Sequence, residues 1–561
     1  MTVIEIANVQ QREASDPRVS AFVAASAGSG KTKLLTDRLL RLMLSGTAPD
    51  KILCLTYTKA AAAEMTIRLN KRLGNWVVMK KPDLENALRE LDVAVNDANV
   101  VLARKLFADV LDLPGGIRIE TIHAFCQSLL RRFPLEAGLS PHFEVADEVK
   151  EGRRLREARE DVLAQPGHEA AVYTLAGETN EPDFAALTQK FVQMSASMLH
   201  VRDAAGIADL QRMALGAGTQ GEAALRAQAV VLPREAALCA GLRLLAARGN
   251  KSGQTWAHAA LDWLAQPQAA RAASWDDWLA LHFTGKGKGP PNKLHNFFGK
   301  GLAAEEADIR AGISAECKRM EAAQEQIRAA RLAALNASLM QLVAPIVQND
   351  AAQKRLAAQL SYADLVRHTA TLFEDPGATW ILYKLDGGIE HLLLDEVQDT
   401  APAQWEIAAK IADEFFAGAG ARESGRTIFA VGDAKQSIFS FQGADLESFE
   451  AYQAKFREKV KAAGQRWVDG RLSVSFRSTA PVLALVDAVF ATGPARAGVC
   501  RGTEVLKHEV SRAGQAGWVE LWPLSEVAPA AELAPWAVPE DYEVADSSKA
   551  LLARQIALDI K

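Results

Sequence analysis

Cysteine is scarce. Five residues (Cys54, Cys126, Cys239, Cys317, Cys500) are scattered through 561 positions with no C-x-x-C pair, which argues against a zinc site or a disulfide framework and for reduced, mostly buried thiols. Positive charge is not in excess either: 64 Lys and Arg against 69 Asp and Glu leave a formal net charge of -5. Any nucleic-acid binding therefore has to rest on local patches. No uninterrupted apolar run is long enough to span a bilayer, and the N-terminal MTVIEIANVQ has neither a basic n-region nor an apolar h-region, so the expectation is a cytoplasmic protein without membrane association. What is present is ordinary globular material: 49% hydrophobic and 24% charged residues suffice for several cores, and the length fits three or four domains.

The first 146 residues alternate strand and helix. SAFVAA opens into a glycine loop, after which Leu34, Leu35, Leu39 and Leu42 form a helical stripe; KILCLTYT precedes the alanine-rich KAAAAEMTIRLNKRL; IRIETIHAFCQSLLRRF repeats the pattern. Such alternation predicts an α/β fold with a parallel sheet flanked by helices. Residues 147–374 change texture to Ala- and Leu-rich segments with frequent Arg and Glu, read as a helical insertion; within it FTGKGKGPPNKLHNFFGKG must be loop. Strand-like segments return in HLLLDE, TIFAVGD and RLSVSF, so the sheet resumes over 375–465 and a further domain begins at 466. GWVELWPL reads as one more possible strand, and SSKALLARQIALDIK as the start of an amphipathic helix with no stop signal after it.

The loop AASAGSGKT carries the first chemistry. Ala25, Ser26, Ala27, Gly28, Ser29 and Gly30 form a phosphate-cradling turn in which the glycines let backbone N–H groups approach an anion; Lys31 offers a point charge to the β- and γ-phosphates and Thr32 a hydroxyl to Mg²⁺. The usual pattern begins with glycine where this chain has Ala25. HLLLDEVQDT supplies the acidic half: a buried strand delivers Asp395, to hold Mg²⁺, and Glu396, to polarise the attacking water of a triphosphate hydrolysis. Beyond Gly432-Asp433, the Gln436 amide is placed to sense a γ-phosphate or orient water, a satisfied loop glutamine being the plainer reading. Phe439 and Phe441 follow; aromatics there stack on bases if exposed, but at this spacing phenylalanines more often belong to a core.

In order, AGSGKT, LTYTKAAAAEM, IETIHAFCQSLLRRF, LLLDEVQD, AVGDAKQSIFSFQGAD and LSVSFRST resemble motifs I, Ia, Ic, II, III and IV of superfamily 1A DNA helicases of the UvrD/Rep/PcrA class. Within that class, SAFVAASAGSGKT, the long insertion and GWVELWPL are most similar to the AddA-type, RecB-like helicase-nuclease subunits that process double-strand breaks. The resemblance implies a RecA-like domain 1A (1–146 and 375–465), a helical domain 1B (147–374) and the start of a second RecA-like lobe, domain 2A (466–561). It implies ATP and Mg²⁺ as cofactors, single-stranded DNA and duplex ends as substrates, 3′-to-5′ polarity and an AddB-type partner. It gives Gln11 contact with the adenine and Arg477 a reach to the γ-phosphate. It lines the single strand with Thr56, Tyr57, Thr58, Thr121 and His123, His123 being equally readable as a structural histidine. It also favours Phe439 and Phe441 as stacking platforms, while Gln442 stands where many relatives have arginine. Lys286, Lys288 and Lys293 in the insertion's loop could touch duplex phosphates, although a solvated loop is the more ordinary reading.

Nothing after Arg477 resembles motif V, motif VI or a RecB-type nuclease domain, so the expectation is an N-terminal portion of a longer protein that alone binds ATP weakly and unwinds DNA poorly. All of this requires Lys31 to meet Asp395 and Glu396 at one edge of one sheet.

Overall fold

The computed structural model describes residues 3–193, 204–216, 218–284, 297–298, 300–375, 380–381, 384, 388–416, 425–437, 445–497, 499, 505–524 and 547–560. The chain folds as two compact units, Met1–Gly138 with Leu365–Lys561, and Leu139–Asp364.

The first unit is built on a six-stranded parallel sheet. In chain order its strands are β1 (Ser20–Ala25), β2 (Ile52–Thr56), β3 (Arg118–Thr121), β6 (His391–Asp395), β7 (Thr427–Gly432) and β8 (Trp467–Leu472); the short strands β4 (Glu144–Val145) and β5 (Gln359–Leu360) belong to the second unit. The spatial order is β3-β2-β6-β7-β1-β8. The inner strands are near-continuous apolar runs such as Leu392–Leu394 and Ile428–Val431, buried as a parallel sheet covered on both faces requires. Helices α1 (Val3–Ala14), α2 (Lys31–Leu44), α3 (Lys59–Val78), α4 (Lys81–Glu90), α5 (Asp97–Leu111) and α6 (Ile122–Arg132) account for the first half of the unit. The stripe Leu34, Leu35, Leu39 and Leu42 is fully buried in one core with Val23, Cys54, Leu393 and Phe429. Buried beside it, Arg38 donates to the carbonyls of Ala14, Asp16 and Val19 and to Thr427 Oγ1, and lies over the Phe429 ring. It thereby ties the chain before β1 to the start of β7. Burial depresses its guanidinium pKa to about 9, still cationic at neutral pH.

One boundary moves. The segment from 466 was expected to open the second lobe, but β8 pairs in parallel with β1 from Ser20↔Trp467 to Ala25↔Leu472, so the first sheet runs on to Leu472. Beyond it, β9 (Val474–Ser475) pairs only with β10 (Glu509–Val510). GWVELWPL is not a strand: residues 517–524 have no ladder partner, and Trp518 and Leu521 stay exposed. The helix expected near the end forms over Ser548–Ile560 and buries none of its residues.

The second unit is helical, as expected, over bounds slightly different from 147–374. Its ends are joined by the two-residue ladder β4–β5 and by a buried ion pair, Arg154 Nε to Asp350 Oδ1 at 2.8 Å. Its spine is α7, Glu306–Leu356. Among the described residues this is the one helix long and apolar enough to cross a membrane, which qualifies the reading that no such stretch exists. Its apolar residues Met340, Leu342, Val343, Ile346 and Val347 lie inside a core cluster, the arrangement of a core helix. Cys54, Cys126 and Cys317 are buried and unpaired, Cys239 is half-buried and unpaired, and burial pushes the Cys126 thiol up to about 12; Cys500 lies outside the described residues.

A second core cluster of this unit stacks Trp263 on Trp278, with His282 edge-on to Trp256 and Trp278. His282 Nδ1 lies 3.0 Å from the Trp278 carbonyl, so Nδ1 carries the proton of the neutral ring. Its buried Nε2 has no partner among the described residues. Burial holds the pKa below the ordinary 6.5 despite the Trp278 carbonyl. Since the unfolded chain then binds the proton first, stability is fullest above about pH 6.5 and falls as pH drops toward the lowered native value. Urea unfolding followed by tryptophan fluorescence should show a lower midpoint at pH 5.5 than at pH 7.5, with a smaller difference in His282→Gln.

Candidate nucleotide and DNA site

The six strands point their C-terminal ends at one edge, where open α/β sheets collect ligands. From β1 the chain turns through Ser26–Gly30 into α2. Gly28 (φ +72°) and Gly30 (φ +90°) are left-handed, a conformation glycine adopts without strain. The N-terminus of α2 has no side-chain cap, so its first N–H groups remain for an anion. The buried Ser29 Oγ also has no partner among the described residues. Uncapped amides, an orphaned hydroxyl and the Lys31 ammonium make a donor set that fits a phosphate chain.

From β6 the chain delivers Asp395 and Glu396. Glu396 is itself left-handed, at φ +50°, and this places its Oε2 2.5 Å from Lys31 Nζ across 365 positions of sequence. The meeting of lysine and acidic pair required above is present. Burial, then Glu396, pushes the Asp395 carboxyl up to about 7 against the pull of Lys31; a divalent cation would displace that proton. Thr32 and Asp395 could hold Mg²⁺ with phosphate and water oxygens completing its shell, as this ion prefers. Among the described residues no cluster of His, Cys, Asp or Glu forms an all-protein metal cage.

Three sequence candidates are engaged in unforeseen ways. Gln11 is buried; its Nε2 donates to Ser29 O at 3.3 Å and its Oε1 accepts from Lys33 Nζ at 3.1 Å, so its amide braces the loop from behind. Gln436 is exposed and donates to Asp433 Oδ2 at 2.7 Å. Arg477 is exposed just after β9, and its backbone crowds the loop: Phe476 N–H donates to Gly28 O at 2.9 Å, and a Cβ on Gly28 would lie 2.6 Å from Arg477 Cβ.

The second half of the edge belongs to β2 and β3. Thr56 and Thr121 are register partners, so the two strands end level. The helices that follow are capped by threonine: Thr58 Oγ1 accepts from Ala61 N–H and Thr121 Oγ1 from Ala124 N–H. Two helix N-termini thus lie on neighbouring strands, an arrangement suited to backbone phosphates. Thr58 is exposed, Tyr57 and His123 half-buried. Burial raises the Tyr57 pKa, Asp399 adding to it, and burial lowers that of His123. Thr56 and Thr121 are only 3% and 6% exposed, which corrects their expected place on the surface. Strand-end side chains between two neighbouring strands are covered by both; Thr56 lines a small cavity of about 20 Å³ beside Asp395, room for one water. Phe439, Phe441, Gln442 and the lysines 286, 288 and 293 lie outside the described residues.

Fold and edge define a P-loop parallel sheet with its phosphate loop and acidic strand in contact. Residues 7–457 match the UvrD/REP helicase N-terminal domain, and the chain belongs to that family. The match includes Gln11 and Gln436 and ends before Arg477. Similar proteins include the AddA component of the ATP-dependent helicase/nuclease of Desulforudis audaxviator, 28% identical over 84% of this chain and 38% of the relative. That of Geobacillus thermodenitrificans is 26% identical over the same shares, and that of Lactobacillus gasseri is 35% identical over 28% of this chain and 12% of its own. The chain spans about 38% of the length of the first two.

Proposed function

We propose that this chain is the ATP-hydrolysing motor portion of an AddA-type DNA helicase that moves 3′ to 5′ on single-stranded DNA during double-strand break repair, beside an AddB-type partner. The observation that carries the reading is the 2.5 Å contact between Lys31 and Glu396: the charge that binds a γ-phosphate and the carboxylate that polarises its attacking water share one site. The loop amides and Lys31 bind the triphosphate. Mg²⁺ held by Thr32 and Asp395 would neutralise charge on the β- and γ-phosphates. Glu396 accepts the proton of the attacking water, Gln436 orients that water, and Arg477, next to Gly28, offsets charge as the bond to the leaving oxygen breaks. Gln11 holds the loop and the adenine edge. Tyr57, Thr58 and His123 contact the single strand at the two helix N-termini, with Thr56 and Thr121 supporting them from beneath and Phe439 and Phe441 stacking on bases.

ATP turnover measured with and without single-stranded DNA tests this. A severalfold stimulation is expected. Its absence, with nucleotide still bound, would favour an ATP- and DNA-binding module without motor activity.

A further inference from the structure

None of the sequence motifs assigns a role to Gln398, which is 3% exposed and whose every side-chain hydrogen-bonding atom is engaged. Its Oε1 accepts the Asp433 N–H at 2.8 Å. A backbone N–H can only donate, so this contact fixes which end of the amide is oxygen. Nε2 must then face the other way, and it donates to Glu396 Oε2 at 2.7 Å and to Asp399 Oδ2 at 3.3 Å. The Gln398 carbonyl accepts Ser437 Oγ at 3.1 Å. Gly432 leaves the space this needs, since a Cβ there would lie 2.6 Å from Gln398 Oε1. One buried amide therefore joins the end of β6 to the end of β7.

The two donors on Glu396 are not equivalent. Lys31 Nζ and Gln398 Nε2 share the same oxygen, Oε2. A bound triphosphate competes for the ammonium, because Lys31 is the nearest strong cation to the loop, but cannot compete for the buried amide. Building on the proposed function, we infer that Gln398 is a positioning residue. It holds Oε2 when Lys31 turns to phosphate, leaving Oε1 for the attacking water. Through Asp433, whose carboxylate accepts from Gln436 Nε2 and Lys435 Nζ, it fixes the water-orienting turn relative to the base. Substrate-dependent movement of Glu396 is thereby passed to residues 433–437, which lead toward Phe439.

Two substitutions separate the halves of the amide. Gln398→Glu keeps the acceptor for Asp433 N–H, loses the donor to Glu396 and sets a second carboxylate against it; Gln398→Leu loses both. In Gln398→Glu, kcat for ATP should fall about 10²-fold with KM within about threefold, while hydrogen exchange at the Asp433 amide stays near the native rate. In Gln398→Leu the same fall in kcat should come with Asp433 exchange at least about tenfold faster. Retention of kcat within about twofold in Gln398→Glu, or a loss of nucleotide affinity in proportion to kcat, would overturn the assignment. If the native chain proves inactive, the proposed function fails and the link is judged without nucleotide. Glu396→Ala should then speed Asp433 exchange when Gln398 is present and add nothing in the Gln398→Leu background. Equal effects in both backgrounds would exclude the coupling.

Discussion

Glu396→Gln lowers ATP turnover by about 10² to 10⁴-fold, the range for losing a positioned base, while nucleotide affinity stays at or above that of the native chain. The reasoning starts from the ion pair. In the resting site the Glu396 carboxylate neutralises Lys31 at 2.5 Å, so a triphosphate has to draw the ammonium away from a competing anion. An amide of the same shape keeps the backbone at φ +50° and a hydrogen-bond acceptor near Lys31 but removes the competing charge. Binding is eased and chemistry lost. Lys31→Ala does the converse: affinity falls, and Glu396 is left with Gln398 as its remaining side-chain donor. Single-turnover hydrolysis together with titration of a fluorescent ADP analogue separates the two variants. Equal loss of affinity in both would contradict opposed roles for the pair.

Gly28→Ala should be among the most damaging small substitutions in the chain. Two costs coincide at this residue. Its φ of +72° is left-handed, which an L side chain enters at about 1 kcal/mol or more. The added Cβ would also meet Arg477 Cβ at 2.6 Å and Ser475 Oγ at 2.9 Å, so the loop or the segment after β8 must move. Gly46→Ala is the control: its φ is +100°, with nothing within 4 Å of a Cβ, so it carries the backbone cost without the clash. Thermal unfolding should show a modest loss for Gly46→Ala and a loss of about 2 to 4 kcal/mol for Gly28→Ala, with nucleotide affinity reduced only in the latter. Similar melting for both would mean that the contact with Arg477 is slack.

Much of this architecture is legible in the sequence because the inner strands are short apolar runs closed by a polar functional residue. SAFVAA is β1 to the residue, and the leucines of HLLLDE could be little else once a glycine loop had implied a parallel sheet. The α2 stripe is equally direct, since four leucines at helical spacing demand a buried face. Harder to read were features set by partners distant in sequence. That β8 joins β1 follows from the open edge beside β1, and nothing local to residues 467–472 records it. GWVELWPL has the composition of a strand, yet a strand needs an edge, and among the described residues none pairs with it. Thr56 and Thr121 have the chemistry of phosphate contacts, but the register that levels β2 with β3 also covers them. Gln398 could have been noticed: an amide between the acidic pair and Asp399, on a strand end predicted to be buried, has to satisfy both its ends.

The order of the strands also bears on how the chain reaches this state during synthesis. Ser20 Oγ of β1 accepts the N–H of Ile428 in β7, 408 positions later, and the partner on its other side, β8, emerges later still. At about 5 to 20 residues per second, the ribosome needs roughly 20 to 80 s to supply the first neighbour of β1. Throughout that interval a bare apolar strand with two open edges waits beside a nascent β2–β3 pair. Such exposure invites pairing with other chains, so chaperone protection of the N-terminal fifth should govern the yield of native protein, and nicks between residues 25 and 427 made before completion should be far more harmful than the same nicks made afterwards.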